Sequence, residues 1–329
     1  MRKTYLLIVV IWVVSIFVSC NNISNSDPLP SWNNTGMKNK IISFVENQAL
    51  KLNPEDRLAV FDMDGTIICE SPLWMEMYCA VQGLKMQVEK NPELKEQKMY
   101  QYALALDKDP FNKQVKEEWG SDVEAMVINA FKGWNNKDYM QYCNNYLKTA
   151  KEPKYGMPLI QTFYKPMLEL IEYLKKNEFD VYIVSGSLQG LIWSVCDHSF
   201  GFDREHLIGT RQAMNPIYIN GEETKFILQP EVIKPKNNNN GKAENIYSHI
   251  GKTPIFAFGN TTGDFGMFHI TTTNTLPNIS FLLNHNDAER EYKYKPWHGK
   301  AMPTWRDTMQ ANGWNIVNMK ENFKTVFRN

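Results

Sequence analysis

The sequence predicts an α/β fold: a doubly wound parallel sheet with a large helical insertion after its first strand. Three observations predict it. Short apolar runs of strand length recur along the chain and, from residue 157 onward, alternate with amphipathic helical stretches, which leads to a parallel sheet covered on both faces. Between the first and second runs, residues 70–156 contain helical segments and no convincing strand. Three of the runs stop at polar clusters, and the carboxyl ends of such strands are where ligands sit.

The 329 residues leave room for a core domain and an insertion, and 43% hydrophobic content is ordinary for a globular chain. Lys+Arg and Asp+Glu both number 36. That balance supplies no global field for nucleic acid or an anionic membrane, so nucleic acid is not an expected partner. No protein partner is evident either.

Residues 1–20 read as a targeting segment. Arg2 and Lys3 precede an apolar stretch over residues 6–18, too short for a comfortable membrane span, which closes on Phe17-Val18-Ser19-Cys20. This resembles a bacterial lipoprotein cleavage box, and the resemblance implies cleavage before Cys20 and a lipid anchor on it. Residues 21–37, rich in Asn, Ser and Pro, read as a flexible tether. The expected location is the cell envelope, lipid-anchored or periplasmic. Of the remaining cysteines, Cys69, Cys79, Cys143 and Cys196, the spacing dictates no disulfide, and no Cys/His cluster suggests zinc.

The elements then follow in order. Ile41, Ile42, Val45, Ala49 and Leu50 recur at helical spacing, and Leu58 to Phe61 form the first buried strand. In the insertion, Asn91-Pro92-Glu93 reads as a helix start, Ser121-Asp122-Val123-Glu124 as a capping box, and residues 136–150 as a further helix. Lys165-Pro166 opens a helix before the strand Val181-Tyr182-Ile183-Val184. Residues 207–210 make a third strand, and residues 217–228 a hairpin through Asn220-Gly221. An Asn-rich loop leads to a helix beginning at Lys242, followed by strands at 254–258 and 279–283. Trp305, Trp314, Val317 and Met319 close the core as a helix and a strand. The organisation is a Rossmann-like core over residues 38–69 and 157–329, with residues 70–156 as a helical cap.

The chemistry lies at the strand ends. Asp62 and Asp64, spaced i, i+2 and followed by Gly65-Thr66, end the first strand; Ser185-Gly186 ends the second; Asn260 and Asp264 follow the fourth. Carboxylates at the end of a buried strand need a cation to offset them. Several carboxylates with carbonyl oxygens suit Mg2+. A Ser hydroxyl, free N–H groups near Gly186 and the Lys242 ammonium suit a multi-oxygen anion. Lys242 is preferred over Lys234 and Lys236 because the helix pattern begins there. The combination specifies phosphoryl transfer to Asp.

These four motifs, in order and type, resemble those of the haloacid dehalogenase superfamily, over the whole chain from about residue 41. The resemblance implies Asp62 as nucleophile and Asp64 as general acid/base. It implies Mg2+ held by the Asp62 carboxylate, the Asp64 carbonyl and the Asp264 side chain, and Ser185 and Lys242 on the transferred phosphoryl group. Asn260 stands where many members carry another Asp, so it is a neutral ligand or acts from behind the ligands. A Gly-Asn-Thr form of this loop, a helical cap and an export signal are similar to the secreted phosphorylcholine phosphatase branch, and the chain also resembles phosphoserine phosphatase-like members.

The expected activity is hydrolysis of a small phosphomonoester, phosphocholine among the candidates. Glu70 is read as either a substrate contact or a cap-hinge residue. Trp74, Trp119 and Trp134, with Tyr139 and Tyr142, are read first as packing residues and second as an aromatic box for a quaternary ammonium group. His285-Asn286-Asp287 reads as a loop cap. Two alternatives are carried: a surface-anchored binding protein with a decayed site, for which Asn260 is the motive, and a phosphomutase of the same superfamily.

Overall fold

A computed structural model describes residues 27–196, 201–297 and 301–327. The targeting segment, Cys20 and the first part of the tether lie outside the described residues. Six parallel strands form one sheet in the order β3-β2-β1-β6-β7-β8, and two more form an antiparallel hairpin. The sheet strands are β1 (Leu58–Phe61), β2 (Asp180–Leu188), β3 (Leu207–Thr210), β6 (Phe256–Gly259), β7 (Ile279–Asn284) and β8 (Asn315–Asn318). The hairpin is β4 (Gln212–Ile217) and β5 (Lys225–Val232).

β1 lies between β2 and β6, with Phe61 level with Ile183 on one side and Phe258 on the other. All four β1 residues are buried, which explains its unbroken apolar run. Successive side chains point to opposite faces. Ala59 and Phe61 therefore join one core with Ile41, Phe44, Met167 and Leu170, from α1 (Gly36–Asn47) and α7 (Lys165–Lys176). Val60 joins the other core with Ile246, Met267 and Met309. Those come from α9 (Asn240–Ile250), α10 (Phe265–Thr272) and α11 (Trp305–Ala311). Phe61, Phe258 and Phe281 stack across three neighbouring strands at centroid separations of 6.0 and 5.4 Å.

Between β1 and β2 the chain forms α2 (Met75–Lys90), α3 (Lys98–Lys108), α4 (Lys113–Glu118), α5 (Asp122–Ala130) and α6 (Asn136–Thr149). α8 (Gln189–Cys196) follows β2, and α12 (Met319–Asn322) ends the order. No helix among the described residues is long and apolar enough to cross a membrane.

Three local expectations are corrected. Residues 27–37 are docked, not a free tether: Leu29 and Trp32 are buried, the Trp32 indole donates to the Pro166 carbonyl at 2.9 Å, and Lys38 pairs with Asp27. Two large apolar side chains outweigh a polar composition. Ser121 precedes α5 but forms no side-chain cap, its backbone being helical and unable to present the hydroxyl to the following amides. Asn91 does cap with its side chain, yet the segment it starts is a 3-10 turn over Pro92–Glu96. Cys69, Cys79, Cys143 and Cys196 are free and buried.

Candidate active site

The end of β1 turns through Gly65, whose φ of +74° is left-handed. A Cβ there would lie 1.9 Å from the Asn260 amide nitrogen and 2.4 Å from a Glu70 oxygen. Only glycine lets the loop after β1 and the loop after β6 approach this closely.

Asp62, Lys242 and Asp264 form a buried triad. The Lys242 ammonium donates to Asp62 Oδ1 at 2.5 Å, to Asp264 Oδ1 at 2.7 Å and to the Val184 carbonyl at 2.6 Å, which uses all three of its protons. The other Asp62 oxygen accepts from the Thr66 hydroxyl at 3.0 Å. Burial pulls the ammonium towards neutrality, but the Asp264 and Asp62 carboxylates outweigh it and hold Lys242 protonated. Burial, then the Asp264 charge, pushes the Asp62 carboxyl well up, because one ammonium faces two carboxylates.

Asp64 hangs from the end of β2. Its Oδ2 accepts from Ser185 Oγ at 3.1 Å and from Ser187 Oγ at 2.9 Å. Its Oδ1 is buried with no hydrogen-bond partner among the described residues. Burial, helped by the Glu70 charge, pushes this carboxyl up to about 6. Ser185 and Lys242, expected on a phosphoryl group, are thus held here against the two carboxylates of the first motif. Gly186 accepts from Thr210 Oγ1 through its carbonyl at 2.7 Å and is flanked by the two serines.

Asp264, expected as a metal ligand, is also tied to its own loop. Its Oδ2 accepts from the amides of Asn260 and Thr261 at 2.9 and 3.0 Å, while Oδ1 takes Lys242. Both oxygens accept from protein donors, as both Asp62 oxygens do, and Oδ1 keeps a lone pair, so Asp264 braces the loop and the lysine while remaining able to face a cation. Gly259 makes room for it, since a Cβ there would meet Asp264 Cγ at 2.5 Å. Asn260 donates to Glu70 Oε1 at 2.7 Å, which leaves its amide oxygen as the acceptor of this loop.

The residues present fit a divalent cation on two observations: an excess of carboxylate over ammonium, and an orphaned Asp64 oxygen buried beside it. The Asp62, Asp64 and Asp264 side chains do not by themselves make a compact cluster of ligand atoms. Among the described residues only Asp203, Glu205 and His206, at the surface, do so. The residues that could hold such a cation are Asp62 and Asp264, which share the Lys242 ammonium, with the Asp64 carbonyl and the Asn260 amide oxygen as neutral ligands.

The insertion reaches the site through α2. Trp74 precedes its first turn, and its ring meets Trp119 edge-on at 5.9 Å. Trp134 sits apart, edge-on to Phe131 and Tyr142 at 5.2 and 5.7 Å, in the packing role read for it first. His285 is no simple loop cap: its Nε2 lies 2.7 Å from the Gly65 carbonyl and its Nδ1 3.0 Å from buried Glu291. Asp287 does cap its own turn, accepting from the amides of Glu289 and Arg290.

Four supporting residues escaped the sequence reading. Thr66 and Ser187 stand inside the motifs, and their polarity was the only signal. Asn237, wholly buried in the Asn-rich loop, donates to the Ser185 and Ile208 carbonyls. Glu76, in the first turn of α2, accepts from the Leu188 amide at 2.6 Å and is 6% exposed. Burial pushes its carboxyl up to about 7 from an unfolded value near 4.5. The native chain therefore holds a proton that the unfolded chain releases, and stability falls as pH rises through that window. Glu76→Gln keeps the acceptor and removes the titration. The variant is expected to exceed wild type near pH 8 by up to about 3 kcal/mol, the gap closing towards pH 4.5. Melting curves at the two pH values check this, and identical gaps at both would refute it.

A family model described as haloacid dehalogenase-like hydrolase matches residues 59–269. A conserved functionally unknown protein from Anaerococcus prevotii DSM 20548 has a similar structure, at 16% identity and a TM-score of 0.52, over 85% of this chain and 91% of that one; the likeness is one of fold. Also similar are cytosolic 5'-nucleotidase IIIB bound to cytidine (12% identity, TM-score 0.45, 86% and 84% covered) and a phosphoserine phosphohydrolase-like protein from Francisella tularensis subsp. tularensis SCHU S4 (16%, 0.40, 80% and 97%). No curated protein matches the chain.

Proposed function

The chain belongs to the haloacid dehalogenase-like hydrolases, and from that membership we propose that it is a Mg2+-dependent phosphomonoesterase working through an aspartyl-phosphate. The observation that carries the reading is the pairing of two Asp residues, two positions apart, with opposite partners: Asp62 on an ammonium, Asp64 on two hydroxyls. Two carboxylates in different environments divide into nucleophile and proton carrier.

An Asp62 oxygen attacks phosphorus as the bond to the leaving oxygen breaks, and Asp64 gives that oxygen its proton. Asp64 then takes a proton from water, which attacks the phosphorus and releases phosphate, returning Asp62 to a carboxylate. Lys242 offsets the charge of nucleophile and phosphoryl group, and exchanges part of its bonding from the carboxylates to phosphoryl oxygens. Mg2+ would be held by Asp62, the Asp64 carbonyl and Asp264, with Asn260 beside them, and would supply further charge neutralisation.

The insertion acts as a cap that closes over a small phosphomonoester. The Trp74–Trp119 pair, with Trp74 bonded to the Glu76 side chain, suits a quaternary ammonium leaving group such as that of phosphocholine. The N-terminal segment supports export and an anchor on Cys20. The intact Asp62–Asp64 pair speaks against a decayed binding protein, and a phosphomutase has no feature here in its favour.

A panel of phosphomonoesters with p-nitrophenyl phosphate, assayed with and without Mg2+, tests the reading. Turnover that needs Mg2+ and is lost with chelator is expected; no turnover of any ester would overturn it. Trp74→Ala should raise KM for phosphocholine roughly tenfold and leave that for p-nitrophenyl phosphate within about twofold. Equal effects on both would remove the aromatic box.

A further inference from the structure

A cavity of about 570 Å3 opens beyond the acidic loops, where β7 and β8 end in Asn284 and Asn318. The strand order puts it next to the site: β7 neighbours β6, whose end carries Asn260, and strands in a sheet lie about 5 Å apart. Three cations line it, Lys293, Lys295 and Arg306, and no carboxylate does. Among the described residues none of the three forms an ion pair. The chain's charges cancel only as a whole, 36 against 36, so three cations on one cavity wall are a local excess.

Scattered surface lysines are the ordinary alternative, and two observations separate this group from them. Aromatic rings hold two of the heads: Arg306 lies 4.4 Å from the Trp305 ring and Lys295 5.9 Å from that of Trp297. A ring-held cation gives up less freedom on binding. The cavity wall is also continuous with the catalytic loops. Its His285 contacts the Gly65 carbonyl, Tyr294 stacks on His285 at 4.2 Å, and the Pro296 carbonyl accepts from the Thr262 amide at 2.9 Å. The wall thus touches the loop after β1 and the loop after β6.

We propose that this cavity binds a small organic polyanion, a molecule bearing two or more carboxylate or phosphate groups, at a position separate from Asp62. The volume exceeds what one phosphate fills, and three cations call for more than one anionic group. The ligand is either free in solution or the distal anionic group of an elongated substrate; the chemistry is the same.

Binding is read without turnover, by titrating tricarballylate at fixed ionic strength, with Mg2+ in excess, and following melting temperature and tryptophan fluorescence. Wild type and Asp62→Asn should respond saturably at millimolar concentration or below, while Lys293→Gln/Lys295→Gln/Arg306→Gln should need roughly tenfold more. The single variant Lys293→Gln, falling between, guards against misfolding of the triple one. A response lost in Asp62→Asn but kept in the triple variant places the anion on the catalytic centre and overturns the proposal. A linear, unsaturable response in wild type overturns it too. Failure of the phosphatase reading leaves these titrations untouched, so the two stand or fall separately. KM for an alkanediol bisphosphate against the matching alkyl monophosphate separates the sources. A rise for the bisphosphate alone in the triple variant assigns the cavity to the distal group of a substrate; an unchanged ratio with tricarballylate binding retained assigns it to a free ligand.

Discussion

Asp62→Asn should bring turnover of every phosphomonoester below about a hundredth of wild type, while the protein stays folded. Amide oxygen is a poor nucleophile and cannot form the acyl phosphate, so chemistry stops at its first step. The fold has little to lose. Burial and the Asp264 charge disfavour the Asp62 anion in the native state, and the amide leaves Lys242 and Asp264 as a one-to-one pair. Melting temperature in metal-free buffer should therefore match or exceed wild type. Rapid acid quenching of wild type should trap phosphate on the peptide containing Asp62, and the variant should trap none. Activity above that hundredth, with phosphate trapped elsewhere, would remove Asp62 from the role of nucleophile.

Lys242→Met has the opposite signature: it costs the fold as well as the reaction. The ammonium is 3% exposed and is the shared partner of two carboxylates and the Val184 carbonyl. Removing one member of such a buried group costs about 3–5 kcal/mol, because the remaining charges are left without a partner. Urea unfolding near neutral pH measures it. Adding Asp62→Asn to Lys242→Met removes one of the stranded charges and should restore about half of the loss, a coupling that a double-mutant cycle reads directly. A loss under about 1 kcal/mol, or no rescue, would mean that the triad is not the electrostatic centre described here.

Asp62, Asp64, Ser185, Lys242 and Asp264 could be picked out of the sequence because each follows an apolar run or opens a helix, and a polar residue at such a place has few structural reasons to be there. Strand order was not legible in the same way: β1 and β3 are both buried throughout, yet β1 lies between β2 and β6 and β3 at the sheet edge. What the sequence withheld depends on distance in space. Glu76 looks like any helix-start carboxylate until Leu188 is found 2.6 Å away. Asn237 is one Asn among several in a polar loop, and its burial is decided by Thr210, Ser185 and Ile208, far from it in the chain. The partners of Asn260 and Asp264 were equally hidden, since both follow β6 and nothing in the chain shows that one reaches Glu70 while the other holds its own loop.

The docking of Trp32 would set a geometric limit on where the proposed lipid-anchored protein acts. From Asp27 onward the polypeptide is fastened to α7 and to the C-terminal segment, Asn33 pairing with the Asn322 carbonyl at 2.8 Å. With the lipid on Cys20 as proposed, Asp27 lies seven residues after the anchor, a span that cannot exceed about 25 Å. The globule would be moored within its own radius of the bilayer, turning little, and would draw its substrate from the thin water layer at the headgroups.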